Sequence, residues 1–191
     1  MSIFGLAASG NLVGRFKPVE ADLMQLAVAQ LVDMLETAGD DVVVASADPV
    51  LRRMLPDAYP DDEEATAEFR RFTAGDLLAA KVFNARVVLA TLRAALADTP
   101  MTPADNSPGA AARRAREPNP KPREPVTLDL DPEAVQSWLR TLNDLRLTLA
   151  QRLLISPDGA LHLEDDEAPF LNELYAWVGM VQESLIYSID I

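Results

Sequence analysis

The stretch WLRTLNDLRLTLAQRLL, residues 138–154, decides how the chain folds. An α-helix turns about 100° per residue, and with Trp138 set at zero Leu145, Leu149, Leu142, Val135, Leu153 and Leu139 fall within an arc from about −20° to 100°. Leu147 and Leu154 widen it toward half the circumference. One neighbouring helix cannot cover so broad an apolar arc, so the sequence predicts a helix inside a bundle. Arg146 lands near 80°, in the middle of that arc. Asp144 lands near 240°, beside Arg140 and Gln151, and is expected to face water.

Working outward, Asp131-Pro132-Glu133 supplies an N-cap, a proline at the first helical position and an acid in the first turn, so the helix is expected over 132–154. "VTLDL" before it alternates like a short strand. "ISPDGALHL" after it resembles a hairpin around Asp158-Gly159, and a last helix is expected from Pro169 to Ser188. Upstream, Ser9-Gly10-Asn11 separates two apolar runs, 3–8 and 12–16, as a hairpin would. Pro18 opens a helix to about Ala38, stopped by Gly39. "VVVAS" at 42–46 is too short to classify, and Asp48-Pro49 starts a brief helix ending near Leu55. Helices are expected over 62–72 and 76–97, divided at Thr73-Ala74-Gly75-Asp76, which has the spacing of a capping box.

The expected fold is mainly α: a bundle of four long helices with short helices and one or two small β-hairpins. Residues 99–125 interrupt it. Seven of the fourteen prolines fall there with Arg113, Arg114, Arg116, Lys121 and Arg123, so this segment reads as a linker within one domain spanning 1–191.

Composition narrows the function. The 191 residues carry a formal net charge of −13. The linker's five basic and three acidic residues give +2, leaving the remainder at −15. Such a surface repels phosphate and anionic lipid, and favours basic protein partners or solubility. The chain has no cysteine and one histidine, His162. That removes thiolate zinc sites, cysteine nucleophiles and paired-histidine metal sites. Glycines 5, 10 and 14 lack the lysine of a phosphate loop, and the acidic runs 61–64 and 164–167 lack calcium-loop spacing. No cofactor, metal or catalytic set is expected. No apolar run reaches membrane-spanning length and no cleavable leader is recognisable at Met1, so the expectation is a cytoplasmic protein.

Charges inside apolar stripes are the candidate site. Glu20 falls near Met34, Ala27 and Ala38 on the first helix. Lys81 projects with Ala85, Val88 and Leu92. Glu68, Arg70 and Arg71 lie among Phe69 and Phe72. Since buried unpaired charges are costly, the expected arrangement is a polar network in which Arg146 bonds Glu20 or Glu68 with Lys81 nearby. Its first reading is helix register; the alternative is an anion pocket. Tyr59, in a proline-rich turn, is expected to cover the bundle end or form a contact.

The blocks "DPVLRRMLPDAYPDDEEATAEFRRFT", "WLRTLNDLRLTLAQRL" and "YAWVGMVQESLI" together resemble an actinobacterial family of uncharacterised proteins, often encoded beside the ClpS adaptor of the Clp protease. The resemblance spans most of the chain outside 99–125 and carries over no functional residue. It implies a link to proteolysis, and its members sometimes bear a transcriptional-regulator label. The leading expectation is a non-enzymatic interaction or regulatory protein with a protein partner or a homodimer. A DNA-binding regulator, with 62–72 and 76–97 as a helix-turn-helix, and a small enzyme with an Arg/Glu anion pocket are the alternatives.

Overall fold

A computed structural model describes residues 3–40, 48–55, 57–59, 61–99, 124–156, 159–160, 162–163 and 166–189. The segment "VVVAS" and nearly all of the proposed linker, residues 100–123, lie outside the described residues, as does Asp158.

The chain begins with strands β1 (Phe4–Leu6) and β2 (Leu12–Phe16), an antiparallel pair. Gly10 at φ +89° makes the turn possible, and the Ala7 and Gly10 amides close it on Asn11 and Ala7 carbonyls at 2.9 and 3.0 Å. The expected hairpin is only part of a sheet. Strand β3 (Val126–Leu130) pairs antiparallel with β2, from Leu12 opposite Leu130 to Phe16 opposite Val126, giving the order β1-β2-β3. Leu12, Gly14 and Phe16 on β2, with Val126, Leu128 and Leu130 on β3, turn to the core, as the period of two requires. Gly14 has a packing reason: a Cβ there would stand 2.6 Å from the Phe4 ring.

Helix α1 runs Pro18–Asp40. Its start is a one-sided capping box, with Glu20 accepting the Lys17 amide at 2.8 Å and the Lys17 ammonium at 3.0 Å. The helix is described as far as Asp40, within two residues of the expected end. Helix α2 (Pro49–Met54) starts where expected, Asp48 accepting the Val50 amide at 2.7 Å.

The two helices expected on either side of residues 73–76 are one. Helix α3 runs Glu63–Asp98, 36 residues and about 54 Å long. Thr73 does not cap; its hydroxyl donates to the Phe69 carbonyl at 2.9 Å, one turn back. Gly75 costs about 1 kcal/mol inside a helix, but Ala74 and Leu78 are buried beside it, and packing outweighs the local signal. With no turn there, 62–72 and 76–97 do not form a helix-turn-helix unit.

Helix α4 (Pro132–Arg152) begins with Asp131 accepting the Ala134 amide at 2.8 Å. It ends in a left-handed residue, Leu154 at φ +53°, beyond which the Ile155 amide reaches back to the Ala150 carbonyl at 2.8 Å. The expected second hairpin reduces to a turn closed by the Ser156 amide on the Ala160 carbonyl at 3.0 Å, with no strand among the described residues. Helix α5 spans Ala168–Ile189.

The molecule is mainly helical with a small three-stranded antiparallel sheet. Helix α3 packs on α1 and on α4, and α4 packs on α5. The sheet lies against them, with Phe4 and Phe16 meeting the fully buried Trp138 at 6.1 Å each. Helix α5 seals the outer edge of β1: the Ser184 hydroxyl oxygen accepts the Ile3 and Phe4 amides at 2.9 and 3.2 Å, and the Ser188 hydroxyl donates to the Phe4 carbonyl at 3.0 Å. Among the described residues, no helix is long and apolar enough to cross a membrane.

Candidate functional site

The structure distributes the sequence candidates over five places. Glu20 sits at the start of α1, bonded to Lys17. Glu68 is exposed on α3. Neither reaches Arg146, so the expected Arg146–Glu network is corrected. Tyr59 and Arg70 do come together, at the α2–α3 corner. There Arg70 pairs with Asp57 at 2.6 Å and donates to the Leu55 carbonyl at 3.2 Å, while the Tyr59 ring meets Phe69 edge-on at 6.2 Å. The Thr66 hydroxyl donates to the Tyr59 carbonyl at 2.8 Å and accepts its amide at 3.2 Å, fixing the turn.

The ion pair of the core is Lys81 with Asp144, Nζ to Oδ1 at 2.7 Å, between α3 and α4. Lys81 points inward as its angle predicts. Asp144, expected to face water, is 3% exposed. Helix α4 lies between α3 and α5, so apart from its two terminal residues its exposed positions are Glu133, Gln136, Arg140 and Asn143. Burial pushes the Asp144 carboxyl above the ordinary aspartate value; the Lys81 hydrogen bond and charge, and a hydrogen bond with Asn143, pull the other way without cancelling it.

Asp144 belongs to a row that the angular reading missed. Ser137, Thr141, Asp144 and Thr148 recur at helical spacing on α4, and all four are buried. Ser137 donates to Asn84 Oδ1 at 3.2 Å, and Trp138 Nε1 donates to the Thr91 hydroxyl at 3.0 Å, so Lys81, Asn84 and Thr91 of α3 face that row. The available signal was three small hydroxyl residues aligned with an acid, which marks close helix approach rather than a solvated face.

Arg146 projects the other way, toward α5. Its Nη1 donates to Gln182 Oε1 at 2.8 Å and Nη2 to the Tyr175 hydroxyl at 3.3 Å, and its guanidinium carbon stands 5.2 Å from the Tyr175 ring centre. The guanidinium lies over Gly179, its nearest atom 3.8 Å from where a Cβ would be, an ordinary contact distance. Nε is buried with no hydrogen-bond partner among the described residues. A cation held by an aromatic face and neutral oxygens replaces the expected ion pair.

An apolar groove with room for a ligand lies between α1 and α5. Helix α5 packs on α4, leaving a valley of about 420 Å³ whose walls are Leu23, Leu26, Ala27 and Met34 on one side and Phe170, Leu171 and Leu174 on the other. Leu145 and Leu149 of α4 form its floor, and Arg152, Asp166 and Glu167 its polar margin. Leu26 and Phe170 are more than half exposed on its lips. Of the six phenylalanines only Phe4 and Phe16 are buried; Phe69, Phe72, Phe83 and Phe170 are on the surface. Sequence periodicity places Ala27 and Met34 on one apolar face of α1 and has no means to show which face lacks a neighbour.

Arg146, Lys81 and Glu20 thus have separate partners, and the walls and floor of the α1–α5 valley are mostly apolar. A family model described as a domain of unknown function, DUF2017, matches residues 1–189. The chain belongs to this family. No curated protein and no solved structure matches it. Because the match runs from the first strand through α5, the DUF2017 unit comprises the sheet, the polar seam and the valley together.

Proposed function

We propose that this DUF2017 chain is a non-enzymatic, cytoplasmic interaction or regulatory protein whose docking surface is the α1–α5 valley. The single observation behind this reading is that valley: an uncovered apolar trough lined by leucines and a methionine, with Leu26 and Phe170 exposed on its lips. Apolar surface gathered in a concavity favours association. The polar groups of the α3–α4 seam serve another purpose. Lys81 bonds Asp144, Ser137 bonds Asn84 and Trp138 bonds Thr91 across it, an arrangement suited to fixing helix register rather than to turning over a substrate. The resemblance to proteins encoded beside the ClpS adaptor adds a regulatory role in Clp-dependent proteolysis as the setting of this interaction.

The test is affinity capture from native lysate with the wild-type chain and with a Leu26→Gln/Phe170→Gln variant, followed by quantitative mass spectrometry. Both positions are exposed, so the fold is retained. The expected result is a protein recovered by the wild type and depleted about tenfold with the variant. Equal recovery of every protein by the two baits would overturn the reading.

A further inference from the structure

We infer that the occupant of the α1–α5 valley is an amphipathic helix with leucine-like anchors on one face and lysine or arginine on its flanks. This rests on the docking reading above and specifies the partner's chemistry.

Shape comes first. The α1 wall runs from Leu23 to Met34, which at 1.5 Å per residue is about 16 Å, or three helical turns. The walls and floor are all helices, so the valley presents interdigitating side chains and no unpaired strand edge. The edge strand β1 is already bonded by Ser184 and Ser188, which removes it as a competing site for an extended peptide. Anchors at i, i+3 or i+4 and i+7 on one helix would fill a trough of this length.

Charge decides the flanks. Asp166 and Glu167 stand on the margin, with Arg152 as the one basic residue lining the valley. By helical angle, exposed Asp22 and Asp33 lie on the shoulder of α1 beyond Leu26, and exposed Glu173 lies one turn on from Phe170. The whole chain carries −13. A basic helix meets opposite charge along both shoulders, whereas a second copy of this chain would bring like-charged rims together.

The probes are two fluorescein-labelled synthetic helices of about fourteen residues, or four turns. They share one leucine stripe and carry lysine or glutamate at every other position. Binding to the full-length chain is read by fluorescence anisotropy, with the oligomeric state followed by sedimentation. The leucine–lysine helix is expected to bind at least about tenfold tighter than the leucine–glutamate helix. The neutral Leu26→Gln/Phe170→Gln variant should weaken it by about tenfold. Asp33→Asn/Asp166→Asn should weaken the lysine helix alone.

Equal affinity for the two helices, both lost in the Gln variant, would overturn the basic-partner inference and leave the docking reading standing. Lysine-helix binding that ignores the Gln variant would be general attraction to an acidic surface and would overturn both. A dimer dispersed by the Gln variant would make the occupant a second copy, overturning the inference alone.

Discussion

Lys81 of α3 and Asp144 of α4 meet at 2.7 Å across a helix interface in which the aspartate is 3% exposed and the lysine side chain 20%. The carboxylate therefore depends on one ammonium for most of its compensation. Lys81→Met is expected to lower stability by about 3 kcal/mol, because it leaves a buried charge without its partner. Lys81→Met/Asp144→Leu should recover most of that loss, since removing both charges removes the desolvation cost. Urea denaturation of the three proteins is the measurement, and a double variant no more stable than the single one would contradict this account.

The same pair makes stability depend on acidity. The native carboxyl of Asp144 is shifted above the ordinary value of 3.8, so between the two values the folded protein holds a proton that the unfolded chain has released. Its contribution is complete below 3.8 and is lost as pH rises through the native value. The stability of the wild type relative to Asp144→Asn should therefore fall with rising pH over that window and level off above it. Urea melts of both proteins at a series of pH values check the sign; a difference that rises with pH would refute it.

Arg146 contrasts with Asp144. Its guanidinium is bonded to Gln182 and Tyr175 and faces no acid among the described residues, while its Nε is buried without a partner. Arg146→Met keeps the aliphatic contact with α5 and relieves the unpaired Nε, so its cost is expected to be about 1 kcal/mol or less. A loss of about 3 kcal/mol or more by thermal or urea denaturation would reveal a carboxylate partner.

Leu154 occupies the left-handed position that ends α4, where glycine is the common residue. Its side chain is about half exposed, so little packing would be lost on removal. Leu154→Gly is expected to stabilise the protein by about 0.5 to 1 kcal/mol, the relief of the left-handed strain offset by glycine's entropy. The midpoint of thermal unfolding should rise.

Much of the architecture was legible because short-range chemistry and long-range packing agree. Asp48-Pro49 and Asp131-Pro132 begin helices as their caps require, Ser9-Gly10 turns, and "VTLDL" alternates. The reading failed where the two disagree. Thr73 and Gly75 mark a boundary locally, but burial of Ala74 and Leu78 carries α3 across it. Asp144 was assigned to water because an angle describes one helix in isolation, and a helix enclosed on several sides has little outside left. The partners of Arg146 were missed because a neutral glutamine and a tyrosine carry no charge signal. The valley depends on which helices do not touch, a property of the assembled bundle that no single stripe encodes.

Strand β1 and helix α5 are clasped: the edge of β1 is satisfied by hydroxyls about 180 positions later. During synthesis the β1–β2 hairpin must therefore emerge with its outer rim bare, and it stays so until the C-terminal turns of α5 have left the ribosome. Truncating α5 before Ser184 removes both hydroxyls, and would re-create that state permanently and turn a protected rim into a template for self-association.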